Sequence, residues 1–286
     1  MIRRVNMPKK NKHRMRAHIN PFNEVTIAVP KNPEYAQWQL HYPSFFGIAK
    51  NNDDRIVVNT GKFAIDYSQK FENPKGMAPT ILDIGCGYGG LMFALTKHFP
   101  DNLILGQEIR DKVANFVAKK ANTLRINSGY EECLNVAAVR TNTMKTLHSY
   151  FAKNSVEKLF ICFADPHFKK VNHRRRIINQ QLLTDYAYIL KEGGRIYEVT
   201  DVKDLHDWNC MHLDKHPMFE RIPEEQLAKE GPDGKGDPCI KAMCEETDEA
   251  QKVIRNQGEI WHAVFRKKDL AKEQEDVEKD VLQYFL

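Results

Sequence analysis

The sequence predicts an α/β fold whose sheet is mostly parallel and covered on both faces. Two observations carry that expectation: short β-prone runs alternate with longer helical stretches from Pro79 onward, and a glycine-rich turn joins the first run to its helix. Thr80 to Ile84 reads as the first strand, Leu91 to His98 as a helix and Leu103 to Gln107 as the second strand. Asp111 to Ile126 follows as a helix, with apolar Val113, Phe116, Val117 and Leu124 on one side. Leu134 to Val139 is the third strand, Met144 to Phe151 a short helix, and Lys158 to Phe163 a strongly apolar fourth strand. Ile177 to Leu190 reads as a helix stopped by Gly193-Gly194, Arg195 to Thr200 as the fifth strand, and Leu205 to Leu213 as another helix. Phe219 to Ile222 and Ile260 to Phe265 close the sheet as a pair, while Pro223 to Cys239, rich in Gly, Pro and charge, reads as a loop.

A chain of 286 residues and 33.2 kDa accommodates one sizeable α/β domain with extensions. We place that domain at residues 76–268. Residues 1–75 lack its rhythm but carry Trp38, Tyr42, Phe45 and Phe46, and are expected to wrap it; residues 269–286 form a charged tail, with Val277, Val281 and Leu282 at helical spacing. Hydrophobic residues at 42% exclude a mainly disordered chain. The net charge of +5 is unevenly spread: seven Lys or Arg and no acid precede Glu24. Such an arm suits a phosphate backbone, a nuclear import signal or simple solvation. Six scattered cysteines without a CxxC pair read as reduced and structural. Absence of a long apolar stretch argues against membrane insertion and secretion, and leaves the nucleus or cytoplasm.

Asp83-Ile-Gly-Cys-Gly-Tyr-Gly-Gly90 lies between the first strand and its helix, where a parallel sheet presents ligands at its carboxyl edge. Gly85, Gly87 and Gly90 satisfy the GxGxxG pattern of nicotinamide sites. Two features favour S-adenosylmethionine: Asp83 precedes the first glycine by two residues, and no dedicated pyrophosphate neutraliser stands near the turn. That cofactor carries an ammonium that a carboxylate can serve. Glu108 is placed to accept two ribose hydroxyls, which either cofactor offers. Asn142 and Thr143 follow the third strand where an adenine edge would be held, Asn142 through its side-chain amide. Each residue taken singly serves equally well as a cap or turn.

After the fourth strand comes Phe163-Ala-Asp-Pro-His-Phe168, then a basic cluster of Lys169, Lys170, His173, Arg174, Arg175 and Arg176 beside His167. A strand-end carboxylate accepts hydrogen bonds from a base or amine, and the cations hold phosphates on either side. The plain alternative is an Asp that caps the next helix next to solvated basic residues.

At these residues the chain resembles the tRNA (guanine-N7-)-methyltransferase family, its eukaryotic catalytic subunit in particular. The matching segments are Arg16-Ala-His-Ile-Asn-Pro21, Asp83 to Leu91, Leu105-Gly-Gln-Glu-Ile-Arg110, Thr141-Asn-Thr-Met-Lys145, Asp165-Pro-His-Phe-Lys169, Leu190-Lys-Glu-Gly-Gly194, Thr200 to His206 and Thr247 to Val253. The resemblance implies a class I S-adenosylmethionine-dependent methyltransferase fold, a Rossmann-like seven-stranded sheet with the last strand antiparallel. It implies Asp165 as the catalytic residue. Cofactor binding falls to Asp83, Gly85, Gly87, Glu108, Ile109, Arg110, Asn142, Thr143, Cys162, Thr247 and Glu249. Arg16, His18, Asn20, His167, Lys169, Lys170, His173 and Arg174 fall where tRNA is contacted, and no metal is implied.

The expected reaction transfers methyl from S-adenosylmethionine to N7 of a guanosine in the tRNA variable loop, with S-adenosylhomocysteine as product. The resemblance also implies a non-catalytic WD-repeat propeller partner and a nuclear location, with or without a cytoplasmic pool. The family usually shows Pro where this chain has Ala164. Rival readings are an NAD-dependent oxidoreductase, for which no Tyr-Lys, His or Cys constellation stands at the right strand ends, and a non-catalytic RNA-binding scaffold with a relic pocket.

Overall fold

A computed structural model describes residues 4–15, 19–22, 27–47, 58–59, 64–73, 76–231 and 234–269. Arg16, His18 and the helical spacing expected near the end of the chain lie outside these residues. The strands are β1 (Ile81–Ile84), β2 (Ile104–Glu108), β3 (Val136–Arg140), β4 (Val156–Cys162), β5 (Leu190–Thr200), β6 (Phe219–Arg221) and β7 (Trp261–Lys267). Among the described residues they form one seven-stranded sheet in the order β3-β2-β1-β4-β5-β7-β6. The first five run parallel to one another, and β7 runs antiparallel between β5 and β6, as the family resemblance implies.

The two faces of the sheet bury separate sets of side chains, because alternate residues of a strand point opposite ways. On one face Leu82, Leu105, Leu159 and Ile196 pack with α4 (Thr143–Tyr150), α5 (Gln180–Ile189) and α6 (Lys203–Lys215). On the other Ile81, Ile104, Phe160 and Tyr197 pack with α2 (Gly90–Leu95), α3 (Asp111–Asn127) and α8 (Pro238–Glu245). The earlier part of the chain joins the first set. Ala36, Trp38 and Tyr42, in and around the single-turn α1 (Trp38–His41), are buried there, with the Trp38 ring 6.2 Å from Tyr150 and 6.3 Å from Phe151. The Tyr42 hydroxyl donates to the Ile104 carbonyl at 2.9 Å and so fastens this segment to β2.

Three elements differ from the sequence reading. The helix expected to run to Leu190 ends at Ile189, and Gly193-Gly194 lie inside β5. Gly193 has φ +73°, and the pairing of β4 with β5 shifts register there, so the glycines accommodate an irregularity in the strand and do not stop a helix. The expected loop from Pro223 to Cys239 contains α7 (Glu224–Leu227) and the start of α8. Pro238 occupies the first turn behind the N-cap Asp237, where the missing amide hydrogen costs nothing, so this proline opens a helix. Finally α9 (Asp248–Arg255) had no expected counterpart. Its cap is Thr247, whose hydroxyl accepts from the Ala250 amide at 3.0 Å, and acids in its first turn and bases in its last suit the helix dipole.

The segment between β6 and α8 is tied to the sheet by polar contacts. Arg195 donates to Glu230 at 2.9 Å and to Asp237 at 3.1 Å, and the Tyr197 hydroxyl donates to Asp237 at 2.7 Å. All six cysteines are free, three of them buried. Among the described residues no helix is long and apolar enough to cross a membrane.

Removing the Tyr42 hydroxyl should cost about 1 kcal/mol, the net worth of one buried hydrogen bond. Urea unfolding of Tyr42→Phe should show that loss with an unchanged m-value.

Candidate active site

The sheet order reverses between β1 and β4, because the chain proceeds from β1 outward to β3 and then returns to the other side of β1. Helices on either side of that point lie on opposite faces, so the carboxyl ends of the strands open into a crevice. A cleft of about 770 Å³ lies there. It is lined by Asp83, Gly85 and Gly87 after β1, Glu108, Ile109 and Arg110 after β2, Asn142 and Thr143 after β3, and Cys162 and Asp165 at the end of β4. Thr247 and Glu249 at the start of α9 complete that wall. Every residue expected to hold a cofactor, together with Asp165, therefore lines a single cleft.

The glycine turn is shaped by its backbone. Gly85, Gly87 and Gly89 have φ of +72°, +52° and +78°, a region that side chains disfavour. The amides of Gly85 and Cys86 both donate to the Gln107 carbonyl, at 2.8 and 3.1 Å, which anchors the turn to β2. Gly90 answers to packing: a Cβ there would meet the Thr247 Cα and the Asp248 amide at 3.2 Å. The absent side chain brings the start of α9 against the start of α2, and with it Thr247 and Glu249 to the cleft.

Asp83 is 2% exposed at the bottom of this acidic end. Burial, with Glu108 and Glu249 nearby, pushes its carboxyl up from 3.8 to about 8. The sequence reading leaves the Glu108 carboxylate free to accept two hydroxyls, but the structure engages it differently. Oε1 accepts from the Arg110 amide at 2.9 Å and from Nε at 3.0 Å, and Oε2 accepts from an Arg110 guanidinium nitrogen at 2.8 Å. Three of about four lone-pair positions are filled. A ligand diol is gripped by both oxygens only if the guanidinium swings aside. Asn142 is also partly engaged, its amide nitrogen donating to the Pro21 carbonyl at 2.6 Å, while the Thr143 hydroxyl donates to Gln107 at 2.8 Å.

Asp165 sits in a turn bounded by two left-handed residues, Phe163 at φ +50° and His167 at φ +45°. Such backbone is costly for side-chain-bearing residues and is held by its surroundings. The Phe163 amide donates to the Val199 carbonyl at 2.7 Å. The His167 amide donates to Asp165 at 3.2 Å, and the His167 Nδ1 lies 3.6 Å from the other carboxylate oxygen. Farther along, Arg176 donates to the Pro166 carbonyl at 2.9 Å and lies 4.7 Å from the Trp208 ring, whose indole donates to Ile178. Arg176 is buried, so it braces the turn and leaves the basic surface to its neighbours. Lys169, Lys170 and Arg174 are exposed, and His173 is half-buried against Trp208. Of the expected substrate residues only His167 lines the cleft among those described; Asn20, Lys169, Lys170, His173 and Arg174 lie outside its lining.

Sequence reasoning gave no role to Gln107, Asp201, Asn256 and Glu259, which also line the cleft, as do Phe168 and Arg175, which it had placed in the motif around Asp165 and in the basic cluster. Gln107 is signalled only by its place next to Glu108; Asn256 and Glu259 follow an α9 that the sequence reading did not identify. It also missed Glu198, His206 and Cys210, which lie together outside the cleft lining and whose ligating atoms fall within 4.8 Å of one another. There the His206 Nδ1 is 2.6 Å from Glu198 and Asn209 donates to the other Glu198 oxygen at 3.0 Å. The buried carboxylate is thus satisfied by α6, a bond that fixes that helix to β5.

The family described as "Putative methyltransferase" matches residues 77–263, which supply all of the described cleft lining except Ile19 and Pro21. A tRNA (guanine-N(7)-)-methyltransferase of Mus musculus is 42% identical over 262 residues, covering 91% of this chain and 91% of that protein. The chain belongs to the tRNA (guanine-N(7)-)-methyltransferase family. Members from Eremothecium gossypii and Arabidopsis thaliana are 41% and 40% identical, covering 92% and 91% of this chain and 83% and 92% of theirs. The methyltransferase assignment removes support for the nicotinamide reading of the glycine turn.

The raised Asp83 carboxyl predicts how stability depends on pH in the ligand-free family member. Between about 4 and about 8 the unfolded chain ionises this acid while the folded chain keeps it protonated, so stability falls as pH rises through that window. The loss is on the order of a few kcal/mol. Asp83→Asn should abolish this part of the slope and melt above the wild type at pH 9, as thermal scans across the range would show.

Proposed function

We propose that this chain transfers a methyl group from S-adenosylmethionine to N7 of a guanosine in the variable loop of tRNA. The carrying observation is that the glycine turn, Glu108 and Asp165 line one cleft at the reversal of strand order. The relatives' names supply the acceptor.

The donor set fits S-adenosylmethionine. A buried acid held above its ordinary pKa gains from a cationic partner, and Asp83 and Glu249 stand where an ammonium would relieve their repulsion. Glu108 would hold ribose hydroxyls once Arg110 yields, and Asn142 and Thr143 flank the adenine end. Gly85, Gly87, Ile109, Cys162 and Thr247 would complete the walls. When bound, the cofactor supplies an electrophilic methyl on a cationic sulfur.

Guanine N7 has an in-plane lone pair and no proton, so no residue of the chain has to act as general base. The chain's task is placement and electrostatics. Asp165 accepts hydrogen bonds from the guanine N1 and N2 donors and stabilises the positive charge that the base gains. His167 holds that carboxylate in place. Lys169, Lys170, His173 and Arg174 meet phosphates around the acceptor, joined by Arg16, His18 and Asn20 from the preceding arm. A WD-repeat propeller subunit as partner and a nuclear location follow from the family resemblance.

The reaction is tested by incubating the purified chain with labelled cofactor and tRNA, with and without a propeller partner, then locating N7-methylguanosine by borohydride and aniline cleavage. No cleavage in either case would refute the reading. Asp165→Ala should lower kcat about 10²- to 10³-fold with cofactor affinity kept. Glu108→Ala should instead weaken cofactor binding about ten- to a hundredfold, loss of charged hydrogen bonds, as calorimetry would record. Charge reversal at Lys169, Lys170 and Arg174 should raise the Michaelis constant for tRNA and flatten its dependence on salt.

A further inference from the structure

We propose that the cleft mouth carries a nucleobase-stacking shelf, Phe168, with Arg175 beside it as the anchor for the phosphate of the same nucleotide. The inference rests on the methylation reading and adds a subsite that accepts an extruded purine nucleotide.

Phe168 lines the cleft yet remains 72% exposed, and Val171, three residues on, is 71% exposed. Among the described residues, nothing covers this aromatic ring on the rim of a polar cleft. It follows His167, whose left-handed backbone sets the turn, and precedes Lys169 and Lys170, both exposed. An open aromatic face among cations matches an unpaired nucleotide: the ring takes the base and the cations take the backbone.

Arg175 supplies an independent observation. Its neighbours are engaged, Arg174 lying 5.6 Å from the Phe22 ring and Arg176 bonded to Pro166. Arg175 also lines the cleft, and its Nε is buried with no hydrogen-bond partner among the described residues. A buried donor without an acceptor is costly, and a guanidinium fork suits a phosphate. Extruding a base from the RNA sacrifices its stacking, and Phe168 returns part of that loss next to Asp165.

The test compares wild type with Phe168→Ala, Phe168→Trp, Arg175→Ala and Arg175→Lys in steady-state methylation of tRNA, with cofactor affinity measured separately. Phe168→Ala should lose about tenfold or more in kcat/KM with cofactor affinity and melting temperature unchanged, and Phe168→Trp should recover most of it. In tRNA carrying 2-aminopurine in place of the target guanine, the complex with Phe168→Ala should fluoresce less brightly than the wild-type complex, because without the shelf the base returns to the quenching stack of its RNA neighbours. Arg175→Ala should reduce the slope of log KM against log salt by about one, and Arg175→Lys should restore that slope.

A Phe168→Ala enzyme within twofold of wild type, with equal 2-aminopurine emission, overturns the shelf while leaving the methylation reading standing. If that variant keeps its tRNA kinetics but no longer binds a propeller subunit, Phe168 is a protein contact and the shelf is again overturned. Should wild type yield no N7-methylguanosine, product mapping reports failure of the underlying reading, and the shelf falls with it.

Discussion

Everything in the cleft depends on the parallel pairing of β1 with β2 on one side and β4 on the other. In register, Ile84 stands beside Gln107 and Ile161, so the three strands reach the same edge together. The segments leaving their carboxyl ends are therefore delivered to one place: the glycine turn from β1, Glu108 from β2 and Asp165 from β4. Because the crossovers from β1 and β4 leave on opposite faces, that edge opens between their helices, with the start of α9 as one wall. A shift of one residue in either pairing would turn the strand's side chains to the other face and dismantle both cores along with the site.

The same convergence creates an electrostatic problem. Asp83, Glu108 and Glu249 are drawn together, and among the described residues Arg110 alone supplies a bonded cation to one of them. The protein resolves this by leaving Asp83 protonated up to about 8 and by committing Glu108 to its own arginine. Both solutions are provisional. A cationic ligand makes the first unnecessary, and a ligand with hydroxyls competes with the second. The proposed cofactor, S-adenosylmethionine, offers both chemistries, and Arg110 is the side chain that would have to yield to it.

Much of this was legible in the sequence because it depends on local rules. Asp83 to Gly90 announces a strand, a turn and a helix within eight residues, and Glu108 and Asp165 are acids at the ends of apolar runs. The features that escaped depend on distant partners. Nothing near Gly90 indicates that Thr247 will press against it, and nothing near Arg175 and Arg176 indicates that adjacent arginines take opposite roles. The Gly193-Gly194 pair misled for a related reason: glycine marks departure from regular backbone but not its kind, and only the pairing with β4 reveals a strand irregularity.

Residues 19–22 touch both the cleft and the basic surface beside it. The Pro21 carbonyl holds the Asn142 amide near the proposed adenosine end, whereas the ring of the next residue, Phe22, lies under Arg174 on the basic surface. One short strip of main chain thus belongs to two walls. Displacing this strip on one side would disturb its contact on the other, because both contacts rest on four residues that belong to neither the sheet nor its helices.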